Sequence, residues 1–161
     1  MYHKVEIQID SRAQKLYLSS GADIMRCYSV STAKNGLGER RDSGCTPRGR
    51  HLVRCKIGEG MPANTVYQSR RPTGVMYSPE LADKYPGRDW ILGRILWLSG
   101  VQSGFNRLGL VDTMQRYIYI HGAPSAGVSG VPDSKGCIRM HQQDIVELFS
   151  LVPIGCSVLI D

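Results

Sequence analysis

Residues 134–140 read SKGCIRM, and residues 116–122, upstream of them, read RYIYIHG. The first stretch places Cys137 directly after a glycine and two positions before an arginine, and the second carries His121 at the end of an apolar run. A neutral thiol is a weak nucleophile at pH 7, and a nearby imidazole or cation is the usual means of obtaining the thiolate. Together the two stretches therefore predict Cys137 as a nucleophile and His121 as its base.

The secondary structure expected around these stretches places the pair at one rim of a sheet. The aromatic and β-branched run 116–122 predicts a strand with Tyr117, Tyr119 and His121 on one face. Apolar residues at helical spacing between positions 141 and 152 predict a helix directly after the cysteine stretch. In this arrangement His121 lies at a strand end, and a glycine-rich loop returns the chain to the turn before the helix. The fold would then bring His121, Cys137 and Arg139 together.

The rest of the chain predicts a mainly β fold. Between residues 5 and 30, three apolar runs separated by polar turns predict an antiparallel meander, and residues 158–160 predict a closing strand. Residues 91–98 predict a buried strand with Gly93 at a close backbone approach, although their periodicity also allows a short buried helix. Residues 58–89 predict a long excursion over one end of the sheet. Eighteen glycines and eight prolines without a period agree with many turns and short elements.

Composition limits the partners of the chain. At 161 residues with 42% hydrophobic positions, we expect one soluble domain spanning residues 1–161. The excess of 20 Lys and Arg over 14 Asp and Glu favours an anionic partner, either nucleic acid, a polyanionic small substrate or a cell-wall polymer. Nucleic acid is disfavoured, because the basic residues are spread out and the densest cluster lacks interleaved aromatic residues. That cluster is Arg40, Arg41, Arg48 and Arg50.

Cysteine usage and the N-terminus suggest the compartment. The five cysteines form no C-x-x-C pair and are odd in number, so we expect reduced thiols, with Cys27, Cys55 and Cys156 filling strand cores. The N-terminus shows no apolar signal core, and no apolar run is long enough to cross a bilayer. These features predict a cytoplasmic protein without membrane contact, or a periplasmic one if an export signal is removed.

Polar residues near the predicted site have alternative interpretations. Asn106 and Arg107 lie in a predicted loop and are candidate substrate-facing groups, although most such residues are simply solvated. A histidine such as His121, taken alone, is more often a hydrogen-bonded core or rim residue than a catalyst. A metal site built from His121, His141 and Cys137 is the competing chemistry, but the spacing does not match the usual zinc patterns. We therefore predict no metal.

A resemblance to a known family follows from four motifs. His121-Gly122 with residues 134–140 resembles the active-site signature of the L,D-transpeptidase catalytic domain. Residues 29–32 (SVST) and 46–49 (TPRG) resemble the family's Val-Ser-Thr and Thr-Pro-x-Gly motifs, and residues 154–160 resemble its terminal strand. The likeness covers nearly the whole chain. It implies a β-sandwich-like catalytic domain with one or two short helices.

The resemblance also implies an activity. Family members are bacterial cysteine enzymes that act on peptidoglycan stem peptides, need no cofactor and are carbapenem-sensitive. By this likeness Cys137 is the nucleophile, His121 the general base and Gly136 part of the oxyanion turn, whose unobstructed amide suits that role. The resemblance also assigns a substrate-binding or bracing role to a second group of residues. These are Arg139, Ser134, Lys135 and Gly122.

The chain departs from the family at Lys135. The family commonly has a histidine directly before the Gly-Cys pair, and here that position is lysine. A positive charge near the sulfur would lower the pKa of Cys137 and raise the thiolate fraction. We therefore expect activity to survive the replacement.

Three hypotheses remain for the activity, and two of them differ in the acceptor of the acyl group. Short family members without an export signal resemble L,D-carboxypeptidases, which let water complete the reaction and trim murein tetrapeptide to tripeptide in cytosolic recycling. The alternative is an L,D-transpeptidase that makes 3-3 cross-links or exchanges D-amino acids in the cell wall. A third hypothesis is a non-catalytic protein that binds cell-wall fragments. The complete set of cysteine, histidine and arginine favours an enzyme.

Overall fold

The computed structural model describes residues 4–161 and contains, within them, ten strands and two α-helices. The strands are β1 Val5–Asp10, β2 Lys15–Ser20, β3 Asp23–Ser31, β4 Gly49–Ile57, β5 Thr65–Gln68, β6 Arg71–Met76, β7 Leu92–Gly100, β8 Tyr119–Ala123, β9 Ile138–His141 and β10 Ser157–Ile160. The helices are α1 Pro79–Lys84 and α2 Gln142–Leu151. The predicted mainly β fold with one or two short helices is confirmed.

The strands form one sheet that closes on itself. Its order is β4-β10-β1-β2-β3-β9-β8-β7-β5-β6, and β4 also pairs with β7, which gives the sheet a barrel-like shape. The pairs β1–β10 and β8–β9 are parallel, whereas β1, β2 and β3 form the antiparallel meander predicted from the sequence. Closure leaves the β5–β6 hairpin as an extension from β7. The expected sandwich-like fold is therefore a single sheet that closes into a barrel-like shape.

The interior is filled by alternate side chains of the strands and by one face of α2. Ile120 of β8 and Ile138 of β9 are fully buried in this core, together with Ile145 and Leu148 of α2. Burial of such a side chain contributes about 1.5–3 kcal/mol relative to exposure. The helix predicted after the cysteine stretch is confirmed, and its packing fixes the end of β9 against the core.

Residues 58–89 fold into the predicted excursion of short elements. They contain the β5–β6 hairpin and α1, which begins with Ser78 accepting a hydrogen bond from the Leu81 N–H. Residues 91–98 lie mostly in β7, so the strand interpretation of this run is confirmed. Gly93 has a φ of +77°, and a Cβ there would lie 2.9 Å from the Ala63 carbonyl oxygen, which confirms the close backbone approach.

Three expectations from the sequence are wrong. Strand β8 begins at Tyr119, because Tyr117 has a φ of +56° and its N–H bonds to the Met114 carbonyl in a turn. Cys27 is exposed, since its side chain points out of β3. Asn106 is fully buried and its amide donates to the carbonyls of Arg48 and Arg50, so it holds the start of β4 and faces no substrate.

Neither helix found in residues 4–161 has the length and apolar character needed to cross a membrane.

Candidate active site

Two motifs far apart in the sequence meet at the turn before Cys137. The Thr46 hydroxyl donates a hydrogen bond of 2.8 Å to the Gly136 carbonyl and accepts one of 2.9 Å from the Ala33 N–H. Gly136 has a φ of +136°, a region that L side chains rarely adopt, and a Cβ there would lie 3.3 Å from the Ile118 side chain. The turn therefore requires both the buried threonine and the glycine.

Ser134 closes the same turn from the other side. Its hydroxyl donates to the Cys137 carbonyl and accepts a hydrogen bond of 3.2 Å from the Gly136 N–H. Ser134 is 3% exposed, so it braces the turn and does not face a substrate. Because the Gly136 N–H is occupied by Ser134, the expectation that it faces an oxyanion is not met; Gly136 contributes its backbone conformation instead.

Backbone groups of β8 and of the turn before it hold the Cys137 sulfur. The Tyr119 N–H donates to the sulfur at 3.3 Å, and the thiol donates to the Tyr117 carbonyl at 3.3 Å. Burial raises the pKa of Cys137 to about 12; the Tyr119 N–H and the Arg139 guanidinium act in the opposite direction. The residue as a whole is only partly buried, and the raised pKa keeps its thiol neutral at rest.

The effect expected of Lys135 on the sulfur is wrong. Lys135 is exposed, and the cations that lower the pKa of Cys137 are Arg139 and Arg116. Desolvation outweighs both, so Cys137 is a neutral thiol at rest.

The imidazole of His121 is buried and keeps one ring nitrogen free. It is 1% exposed, and its Nδ1 donates to the Gly122 carbonyl at 2.8 Å. A carbonyl oxygen only accepts, so the ring proton is on Nδ1 and the Nε2 lone pair is free to take a proton. Burial lowers the pKa of His121, which keeps the imidazole neutral near pH 7.

The register of β8 and β9 relates His121 to the cysteine stretch. Ile120 lies opposite Ile138, and both point into the core. His121 lies opposite Arg139 on the other face, which by alternation also carries Tyr119, and the Cys137 side chain packs against the cluster that contains Tyr119. In the resting state the thiol donates to the Tyr117 carbonyl.

Arg139 is held by two carboxylates. It donates to Asp89 at 2.9 Å and lies 3.5 Å from Asp133, with 11% of its side chain exposed. It lines a cleft of about 270 Å³ that also contains Trp90 and Tyr77. Because its charge is already neutralised, Arg139 is better placed to orient the loop before Cys137 than to capture a substrate carboxylate.

Gly122 is also placed differently from its expected role. It is buried, and a Cβ there would lie 2.3 Å from the Leu92 carbonyl and 2.9 Å from the Ile145 side chain. Its missing side chain allows β8 to approach β7 and α2, while its carbonyl orients His121. Gly122 therefore acts on the base and not on a substrate.

Sequence reasoning missed Asp89 and Arg116. Asp89 pairs with Arg139 and raises the pKa of both His121 and Cys137 by its charge. The Arg116 guanidinium donates to the carbonyls of Gly38, Glu39 and Cys45 and to the Ser43 hydroxyl, which ties residues 38–45 to the site. No local sequence signal selects either residue, because Asp89 is 50 positions from Arg139 and Arg116 is 71 positions from Cys45.

The alternative metal site receives no support from the geometry. Within residues 4–161, no three His, Cys, Asp or Glu side chains lie close enough together to hold a metal ion.

Several solved L,D-transpeptidases have this fold. The chain aligns over 100% of its length with an L,D-transpeptidase from Xylanimonas cellulosilytica, at a TM-score of 0.58 and 19% identity. It aligns over 99% with L,D-transpeptidase 3 from Mycobacterium tuberculosis bearing a faropenem-derived adduct, at a TM-score of 0.58 and 16% identity. The alignments cover 62% and 60% of those solved chains. The fold is therefore that of the L,D-transpeptidases.

Sequence comparison gives the family itself. The chain is 30% identical over 152 residues to YqjB of Bacillus subtilis, assigned as an L,D-transpeptidase; the match covers 94% of this chain and 68% of YqjB. The family model for the YkuD L,D-transpeptidase catalytic domain matches residues 4–160. The chain belongs to the L,D-transpeptidase catalytic domain family.

Proposed function

We propose that the chain uses Cys137 to cleave the L,D bond between meso-diaminopimelate and a terminal D-alanine in peptidoglycan stem peptides. Water then completes the reaction, so the enzyme is an L,D-carboxypeptidase that trims tetrapeptide to tripeptide. The observation that carries the proposal is that Cys137 packs against Tyr119 of β8, the strand that also carries His121, whose neutral imidazole has a free Nε2 lone pair to accept the thiol proton. Trimming of recovered murein in the cytoplasm is the proposed setting, which cell fractionation tests.

The reaction follows from the resting hydrogen bonds. On substrate binding, the Cys137 thiol leaves the Tyr117 carbonyl and passes its proton to Nε2 of His121. The sulfur bonds to the diaminopimelate carbonyl carbon, and the C–N bond to D-alanine breaks as His121 returns the proton to the leaving amine. In the second half, His121 takes a proton from water, the hydroxide attacks the thioester, and the thiol is restored.

The Arg139 ion pairs and the Ser134 bonds support this chemistry indirectly. Arg139 joins the loop that carries Asp133 to the segment that carries Asp89, and Ser134 fixes the turn directly before the sulfur. Both therefore hold the nucleophile in a defined position relative to His121. Such positioning is a large part of catalysis, because a displacement of about 1 Å can cost about 100-fold in rate.

Transpeptidation is the second candidate function. The assignment of YqjB as an L,D-transpeptidase favours it. In that case an amine of a second peptide replaces water and attacks the same thioester. Hydrolysis is placed first because water needs no acceptor site beyond the groups described above.

Mass spectrometry with purified protein and disaccharide-tetrapeptide tests both candidates. Loss of one alanine supports hydrolysis, whereas dimers or D-amino-acid exchange would replace it with transpeptidation. Cys137→Ala is the control that must abolish either product. A carbapenem adduct test addresses the non-catalytic hypothesis: single-site acylation at Cys137 supports the enzyme, and an inert protein that still binds fragments contradicts it.

A further inference from the structure

A groove opens beside Cys137 on the Lys135 side. It has a volume of about 400 Å³, and its lining includes Lys135, Arg41, Asp42, Arg116 and Tyr117. Tyr117 connects it to the nucleophile, because the Tyr117 carbonyl accepts the hydrogen bond from the Cys137 thiol. The groove and the hydrogen bond of the thiol therefore share one residue, Tyr117.

The groove carries an excess of positive charge. Its lining holds three cations, Lys135, Arg41 and Arg116, against one carboxylate, Asp42. Lys135 and Arg41 are exposed, and none of the ion pairs found in residues 4–161 involves either of them.

Neighbouring acids do not neutralise this charge. Glu39, the nearest buried acid along the chain, is occupied by a two-point ion pair with Arg48. The Asp112 carboxylate accepts backbone N–H groups of Leu108 and Gln115. Two groove cations are therefore available to an incoming anion.

The opposite flank of the cysteine is different. There Arg139 is neutralised by Asp89 and Asp133, and the cleft contains aromatic groups such as Trp90. The two sides of Cys137 thus differ in electrostatic character, and an anionic group of the substrate is attracted to the Lys135 side.

We propose that this cationic groove binds the free terminal carboxylate of the leaving residue. The inference rests on the proposed function, which places the attacked carbonyl one residue before the end of the peptide. Consecutive Cα atoms are about 3.8 Å apart, so the terminal carboxylate stays within one residue of the attacked carbonyl, and the groove that shares Tyr117 with the thiol is the cationic surface proposed to receive it. Arg41 offers a planar fork and Lys135 a point charge, and both geometries suit a carboxylate.

The experiment compares two substrates that differ only in this carboxylate. One is the muropeptide ending in free D-alanine, and the other is the same peptide ending in D-alaninamide; release of each leaving group is measured as kcat/KM. The native enzyme is expected to prefer the free acid by about 10- to 100-fold, the range of a charge-assisted hydrogen bond. Lys135→Gln and Arg41→Gln each lower kcat/KM for the acid by about tenfold and leave the amide unchanged.

Two further variants test the sign and the site of the effect. Asp42→Asn removes the only groove carboxylate described in the lining and increases the preference for the acid; asparagine tolerates the φ of +62° at this position. Arg12→Gln removes an exposed cation in the β1–β2 turn, outside the groove, and leaves the preference unchanged.

The outcomes separate the two proposals. If both peptides are cleaved equally, or if Lys135→Gln reduces both equally, the groove assignment is wrong and the proposed function stands. If neither peptide is cleaved and Cys137 is not acylated, the proposed function fails and the groove assignment fails with it.

Discussion

Thr46 and Gly136 are 90 positions apart in the sequence and are joined by a buried hydrogen bond from the threonine hydroxyl to the glycine carbonyl. The Thr-Pro-x-Gly turn, which is an ordinary turn when taken alone, therefore supports the turn that carries the nucleophile. Since Thr46 is fully buried, neither partner can turn to water as a substitute.

Thr46→Val is expected to lower the free energy of unfolding by about 1–3 kcal/mol, because it leaves the Gly136 carbonyl and the Ala33 N–H without their partner. Chemical denaturation measures the loss. Thr46→Ser keeps the hydroxyl and serves as the matched control. Equal stability of the valine and serine variants would show that the hydrogen bond contributes little.

Local sequence patterns predicted the parts of the site that depend on neighbouring residues. The helix after β9, the strand that contains His121 and the Gly-Cys turn all follow from spacing and residue type. The partners that come from distant segments could not be predicted in this way. Asp89 reaches Arg139 from 50 positions away, and Arg116 reaches Cys45 from 71.

Two errors have the same origin in tertiary context. Tyr117 has the composition of a strand residue, but hydrogen bonds from the preceding turn force it into a left-handed conformation. Lys135 is adjacent to Cys137 in the sequence, but it points to solvent, so desolvation of the sulfur dominates the thiol pKa. In both cases tertiary packing sets a property that the local sequence does not determine, the backbone conformation of Tyr117 and the thiol pKa of Cys137.

Alkylation of Cys137 by iodoacetamide is expected to be slow at pH 7 and to rise about tenfold per pH unit through pH 9, because the raised pKa, about 12, keeps the thiolate scarce. Peptide mapping of the modified protein measures the rate at each cysteine. The exposed Cys27 in the same sample is the internal comparator. A rate at Cys137 that levels off below pH 9 would contradict the raised pKa.

The raised pKa of Cys137 also makes the free energy of unfolding depend on pH. The folded chain holds the Cys137 proton more tightly than the unfolded chain, so this contribution is present below the ordinary thiol pKa and is lost as the pH rises toward about 12. The difference in unfolding free energy between the native chain and Cys137→Ala should therefore shrink at alkaline pH.

His121→Gln is expected to lower kcat by about 100- to 10,000-fold, the usual contribution of a general base. Because burial lowers the pKa of His121, the native enzyme should keep its base unprotonated below the ordinary histidine pKa, and activity should fall only as the pH drops through the lowered value. A pH profile of kcat/KM for D-alanine release measures this limb. If the apparent pKa of this acid limb were at or above the ordinary histidine pKa, His121 would be excluded as the titrating base.

Asp89→Asn is expected to act on both stability and reactivity. Asp89 is the closer of the two carboxylates paired with Arg139, so its loss leaves a largely buried guanidinium with Asp133 alone and should cost about 1–3 kcal/mol of stability. Asp89 also raises the pKa of Cys137 by its charge, so the variant should alkylate faster at a given pH.

Asp133→Asn is the matched control for this prediction, because it removes the more distant and more exposed carboxylate of the same arginine. Denaturation and alkylation of the two variants are measured side by side. The two readouts separate an electrostatic effect from a structural one. A loosened site would expose Cys137 in both variants, whereas loss of the Asp89 charge lowers the pKa of Cys137 and accelerates alkylation in Asp89→Asn alone. Equal acceleration in the two variants would show that Asp89 acts only as a structural partner of Arg139.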